Sequence, residues 1–437
     1  MSMQSMDEQT WLDQLNAPER SLRLEALRRL RHLRDENGPA AARNSRDVNN
    51  HIHTQYSFSP YSPAKAVWMA AQAGLATAGI MDHDSIGGAR EFIEAGRIMD
   101  LPTTIGAECR ASFAATPLKG RRINNPDQPT VAYVALHGIP HSRIDAVTRF
   151  FEPVRTARGK RNRAMTTRLN ALMAPAGIIL DYNRDILPLS FAADGGEVTE
   201  RHLLFAAAGQ LISRFGMGPG LVDFLMGTLR VPVSEKARQQ LTDSTNPQLA
   251  YDLLGVLKSD LVEKFYLDAG EECPPIGELA AFARRNGIIL AYAYLGDVTS
   301  SVTGDKKAQA FEDNYLEELF AVLHETGFNA VTYMPSRNTR EQLVHLRELC
   351  TRHGFFQISG EDINQPRQAF ICEAMRDPLF ANLYDAAWAL IGHELLASQN
   401  LDDGMFSAAT VRAQPDLETR IVCFRDAAIK LLTRTNA

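Results

Sequence analysis

The chain has no apolar run long enough to span a bilayer, and its opening residues, MSMQSMDEQTW, lack the apolar core of a secretory leader. It has no Cys-x-x-Cys pair either; Cys109, Cys273, Cys350, Cys372 and Cys423 are scattered. That spacing argues against a zinc ribbon or a disulfide framework and suits a reducing cytoplasm, the expected location. Positive charge is not in excess. The 46 Lys and Arg stand against 52 Asp and Glu, a net charge of -6. Nothing in that balance calls for a nucleic-acid polymer or a membrane as partner. Internal repeats and low-complexity tracts are also missing. What is present is the composition of a soluble globular protein, 45% hydrophobic and 22% charged. At 437 residues the chain can build one large domain with insertions, or two domains.

The pattern changes along the chain. Leu22, Leu24, Leu27, Leu30 and Leu33 recur at helical spacing among Arg28, Arg29, Arg31 and Arg34. This predicts a helical extension over residues 1–45, with the arginines on a solvated face. From Asp47 onward, strand-like pieces alternate with helix candidates. The pieces are 77–81, 103–106, 130–136, 287–294, 329–333 and 355–359, and the helices fall at 62–74, 86–99, 308–326 and 339–353. Alternation of this kind predicts a mostly parallel α/β sheet or barrel over 46–140 and 286–437. Residues 141–285 break the rhythm with a mainly helical stretch, expected as an inserted cap over the site.

The most informative stretch is Asn49-Asn50-His51-Ile52-His53-Thr54. On a strand, residues two apart point to the same side, so His51 and His53 can aim two imidazoles at one point. Imidazole is the commonest metal-ligating side chain. Polar groups then recur at the ends of later strand candidates: Asp82-His83-Asp84, Glu108, His137, Asp297 after Tyr292 and Tyr294, Ser336-Arg337-Asn338, and Glu361-Asp362-Ile363-Asn364. In a parallel barrel those ends converge on one face, where active sites are built. Taken singly, each is an ordinary turn former or helix cap.

These residues resemble the PHP family, named for polymerase and histidinol phosphatase domains. The motifs are H-x-H-T at His51 to Thr54, M-D-H-D at Met81 to Asp84, G-A-E at Gly106 to Glu108 and G-E-D-I-N at Gly360 to Asn364. The resemblance covers about 46–140 and 285–375. It implies a distorted, TIM-like (β/α)7 barrel that holds up to three metals and hydrolyses phosphoesters. Thr199-Glu200-Arg201-His202 resembles the segment whose arginine and histidine meet the substrate phosphate. There are departures. Phe58 stands where the family has aspartate, Tyr133 and Tyr294 where it has histidine, and Asn364 closes the last motif in place of histidine. Four positions of one family site remain: His51, His53, Glu108 and Asp362. Two imidazoles and two carboxylates suit one zinc, manganese or iron ion per chain. His83 survives from a second site. His137, which shares the parity of Tyr133, and Tyr294, Asp297 or Glu361 are possible substitutes for lost ligands.

The cap supplies the remaining candidates. Arg155, Arg158, Lys160, Arg161 and Arg163 crowd one helical segment and are expected mainly as a solvated basic face. Arg201 and His202 stand out, because Thr199 can cap a helix that would place Arg201 in its first turn. A cation there opposes the helix dipole, which is easier to understand if an anion binds. Arg337 is a further phosphate candidate. The expected function is metal-dependent hydrolysis of a phosphoester in a small phosphorylated metabolite or nucleotide. His51, His53, Glu108 and Asp362 would hold the metal. His83 would act as general acid or orient the phosphate, and Arg201 with His202 would neutralise its charge. The rival reading is a non-catalytic sensor or scaffold on a decayed barrel; a third is hydrolysis of a different bond.

Overall fold

The computed structural model describes residues 3–36, 46–298 and 310–435. Seven strands form one sheet in chain order: β1 (Val48–Ile52), β2 (Thr77–His83), β3 (Thr103–Ser112), β4 (Val131–His137), β5 (Ile289–Ala293), β6 (Ala330–Tyr333) and β7 (Phe356–Ser359). The sheet curls into a nearly closed barrel. Beyond β7 the chain reaches β1, where Ile363 bridges Ile52, His53 N donates to Ile363 O, and Ile363 N donates to His51 O. Gly360 lies at this seam. A Cβ there would sit 2.6 Å from His51 N, so only glycine lets the two strands approach.

β1, β2 and β3 are parallel, as are β5, β6 and β7. β4 runs antiparallel to both of its neighbours. Its C-terminal end therefore lies at the barrel floor, opposite the ends of the other strands. His137, one of the possible substitutes for a lost ligand, is thereby kept out of the cleft lining. Leu136 pairs with Ala107 and His137 with Ile289, at the start of β5. His137 is buried low in the barrel, and burial with the nearby charge of His51 pushes its imidazole down to about 3. The other end of β4 brings Tyr133 to the site instead.

The floor is plugged from below. Met81, Ala135, Ile289, Ala291, Phe356 and Ile358 pack with Ala386, Ala389 and Leu390 of the helix Ala381–Gln399. From that helix, buried Glu394 accepts hydrogen bonds from Thr104 Oγ1 and Ile105 N, both at 2.8 Å. A second apolar cluster joins the outer strand faces to the flanking helices Pro63–Gln72, Ala89–Met99, Leu316–Thr326 and Arg340–His353. The helix expected over 308–326 is thus seen from Leu316; residues 308 and 309 lie outside the described ones, as do 37–45 of the extension. The extension forms the helices Met3–Gln14 and Arg20–Glu36, and burial of Leu24, Leu27 and Leu30 docks the second one. Its Arg28 and Arg29 stay exposed, as expected; Arg23 does not, and its guanidinium pairs with buried Glu91.

The segment between β4 and β5 is helical. The helix Ile144–Met173 is its spine. Ile144, Val147, Phe151 and Val154 pack in the barrel cluster, whereas Met165, Leu169 and Met173 belong to a third cluster built with the helices Glu200–Phe215 and Leu249–Phe265. The helix therefore climbs the barrel wall from floor to mouth. No described helix is long and apolar enough to cross a membrane.

Candidate metal centre and anion cleft

β1 carries an irregularity in its register between Asn49 and Ile52, where a bulge can re-aim side chains. His51 and His53 emerge beside it with their Nε2 atoms 3.2 Å apart. From β3, Glu108 Oε2 lies 3.7 Å from His51 Nε2 and 3.3 Å from His83 Nδ1. From the seam after β7, Asp362 Oδ1 lies 3.1 Å from His53 Nε2. His51, His53 and Glu108 each offer a donor atom within 4.8 Å of the others. Three of the four positions expected to share one ligand shell, His51, His53 and Glu108, come together from strands far apart in sequence, and the fourth, Asp362, stands against His53.

Behind the pair, Ser57 Oγ donates to Asp82 Oδ1 at 2.7 Å, so His53 Nδ1–H donates to Ser57 Oγ at 3.3 Å. Thr54 N and Oγ1 hold the same buried Asp82 at 2.7 and 2.6 Å. His53 Nε2 faces both His51 Nε2 and Asp362 Oδ1. Burial lowers the His51 imidazole, but the hydrogen bond and charge of Glu108 outweigh it and raise its pKa. Burial would likewise raise Asp362; His53, His51 and Arg201 instead hold it well below the usual carboxylate range. The donor atoms of His51, His53 and Glu108 lie close enough together to hold one metal ion, and Asp362 stands beside His53.

His83 has its imidazole pKa pushed well below the ordinary value by burial and by the charges of His53 and Arg158. It is neutral at pH 7, which suits orientation or ligation better than proton donation.

A polar cleft opens beside this centre, lined by His53, Phe58, His83, Tyr133, Arg158, Thr199, Glu200, Arg201 and Asn364. Thr199 is the N-cap of the helix Glu200–Phe215, so Arg201 sits in the first turn as expected. Arg201 reaches across to the barrel, where its guanidinium donates to Asn364 Oδ1 at 2.5 Å. His202 is placed differently. Its Nδ1 accepts from Thr199 N at 3.0 Å, closing the capping box, and its ring packs edge-on to Phe58 at 4.9 Å. Burial drives it down to about 3. Phe58 belongs to the apolar cluster of the cap, which explains an aromatic at a position where the resemblance leads one to expect aspartate. Arg337 stands outside the cleft lining; its Nε donates to Leu295 O at 3.1 Å.

The other substitutes are engaged elsewhere. Tyr294 donates to Asp313 at 2.7 Å, Asp297 accepts from Phe311 N at 2.5 Å, and Glu361 accepts from Ser336 Oγ at 2.5 Å.

The basic helical segment departs from its expected role. Lys160 and Arg163 are exposed, but Arg158 and Arg161 are buried. Arg158 pairs with Asp84 at 2.8 Å and lies 3.6 Å from Glu272. Arg161 and Arg110 also meet Glu272, at 2.8 and 2.6 Å. Three arginines face two carboxylates here, and of the three only Arg158 lines the cleft. The spacing of Arg158 and Arg161, three apart on one helix face, was the available signal. Glu200 shares the wall. Burial opposes its ionisation, but Lys258, Arg110 and Arg158 hold its carboxyl down to about 2.

No protein-family description matches this sequence, and no curated protein matches it. Among solved structures, a candidate metal-dependent phosphoesterase from Bifidobacterium adolescentis is 18% identical, with a TM-score of 0.48 over 76% of this chain and 96% of that one. An amidohydrolase from Chromobacterium violaceum, solved with sulfate and without metal, is 16% identical, with a TM-score of 0.49 over 75% and 90%. At that distance neither likeness bears on chemistry, which rests here on the geometry of the site.

Proposed function

We propose that the protein is a metal-dependent hydrolase acting on a phosphoester of a small phosphorylated metabolite or nucleotide. The observation that carries this reading is the juxtaposition of the His51, His53 and Glu108 donor atoms with a polar cleft that presents Arg201 and Arg158. His51, His53, Glu108 and Asp362 would hold the ion. Once bound, such an ion acidifies a water and polarises a phosphoryl oxygen. Arg201 and Arg158 supply guanidinium groups to neutralise charge as the ester oxygen leaves. His83, neutral and tethered through Nδ1–H to Glu108, presents Nε2 to the cleft and orients the reacting group. His202 supports Arg201 by capping its helix.

The rival sensor or scaffold would have no need for these donor atoms beside the cleft. The test is elemental analysis of purified protein together with a screen of phosphorylated metabolites. About one ion per chain and release of phosphate are expected. His51→Ala should abolish both together. Three stoichiometric ions, or no hydrolysis by metal-loaded protein of any sugar phosphate, nucleotide or aryl phosphate, would refute the proposal.

A further inference from the structure

Asn364 occupies an unusual position between the two halves of the site. It is buried, at 5% exposure. Its Nδ2 donates to Asp362 Oδ1 at 2.6 Å, and its Oδ1 accepts from Arg201 at 2.5 Å. The amide can be oriented only one way, because the carboxylate must accept and the guanidinium must donate. Asp362 Oδ1 is the atom that lies 3.1 Å from His53 Nε2. The supporting loop is itself pinned. Gln368 accepts from the backbone N–H of Asn364 at 2.7 Å and of Gln365 at 2.8 Å, and donates to Asp362 O at 2.7 Å. Arg201 therefore meets the barrel at a side chain that holds a metal-ligand candidate with its other end.

We infer that Asn364 is a positioning residue that couples the two binding events: it orients Asp362 for the ion and anchors Arg201 over the cleft for the anion. The inference rests on the functional reading above but concerns binding, not turnover. Partners that orient metal ligands typically change metal affinity by 10–100-fold when removed. A guanidinium released from its anchor must be ordered again when an anion binds, so anion affinity falls as well.

The experiment is calorimetric titration with Zn2+, and with inorganic phosphate on metal-loaded protein. It compares wild type, Asn364→Ala, the near-isosteric Asn364→Leu, Arg201→Ala and the double variant Asn364→Ala/Arg201→Ala. Unfolding midpoints identify any variant that fails to fold, and Leu guards against a collapse specific to Ala. Both Asn364 variants should bind Zn2+ about tenfold more weakly. Asn364→Ala should also weaken phosphate binding, yet add nothing to the phosphate deficit of Arg201→Ala. A merely structural role would shift the midpoints and leave the two deficits additive. Unchanged Zn2+ affinity, additive phosphate deficits, or no phosphate binding by wild type would overturn the inference. Hydrolysis with no coupling refutes Asn364 alone, and coupling without hydrolysis of any ester refutes the catalytic reading alone.

Discussion

Arg158 is the residue whose removal should cost most at the junction of cap and barrel. It is buried, and among the described residues Asp84 has no ion partner closer than this guanidinium, at 2.8 Å. Glu272 is better supplied, with Arg110 at 2.6 Å and Arg161 at 2.8 Å. Arg158→Met keeps the aliphatic stem and deletes the charge. Glu272 then retains two cations, but Asp84 is left as an uncompensated buried carboxylate. Breaking a buried pair from one side costs about 3–5 kcal/mol. Arg161→Met leaves Glu272 with Arg110 and Arg158, so its cost should be nearer 1–3 kcal/mol, roughly that of a lost charged hydrogen bond. Asp84→Asn in the Arg158→Met background should recover part of the loss, because the orphaned charge is gone. The pH dependence has a definite sign. Burial already raises Asp84, against the pull of Arg158. Without that pull its folded pKa rises further above the unfolded value. The deficit of Arg158→Met should therefore grow as pH rises above about 4 and shrink on acidification. Chemical denaturation at pH 5 and pH 8 measures all of this. An Arg158→Met variant within about 1 kcal/mol of wild type at pH 8, or no less stable than Arg161→Met, would refute the account.

Glu197 gives a second pH signature: burial, opposed by Arg158, raises its carboxyl to about 8, from an ordinary 4.5. The folded form then keeps a proton that the unfolded chain releases, so stability from this group is present below 4.5 and is lost as pH rises through about 8. Glu197→Gln should flatten that slope and stabilise the protein at pH 8; parallel stability curves for variant and wild type would contradict it. Arg201→Ala should lower the rate of phosphoester hydrolysis by about 2–4 kcal/mol, roughly a hundredfold to a thousandfold, with bound metal retained. Steady-state kinetics beside metal analysis decide this, and an unchanged kcat/KM would remove Arg201 from the site.

Much of the barrel was legible because its signals are local. His51 and His53 declare their shared side by parity, and the apolar pieces that became β2, β3, β5, β6 and β7 lie between recognisable helices. The convergence of Glu108 and Asp362 on that pair became readable only through the resemblance of their motifs. The direction of β4 was not legible. A buried strand is apolar whichever way it runs, and parity assigns a side without assigning an end, so His137 stayed open as a possible ligand although its end of β4 lies at the floor. The burial of Arg158 and Arg161 was hidden for a different reason. Charged residues are rarely buried unless paired, and their partners Asp84 and Glu272 lie 74 and 111 residues or more from them in the chain. His202 shows a third kind of difficulty: a histidine three residues after Thr199 can close a cap as readily as it can meet a phosphate.

The helix Ile144–Met173 has a consequence for how this barrel can change its diet. Both ends of the segment between β4 and β5 leave from the floor, yet the residues it delivers work at the mouth. An ideal helix of 30 residues is about 45 Å long, enough to serve as a mast along the wall. Exchanging what the mast carries would not disturb the strand ends that bear His51, Glu108 and Asp362. Lengthening or shortening it would do the opposite. One turn more or less would lift or lower Arg158 by about 5.4 Å, out of reach of Asp84, and would change the height at which positive charge meets an incoming anion. The length of a single helix thus sets the height at which Arg158 meets Asp84.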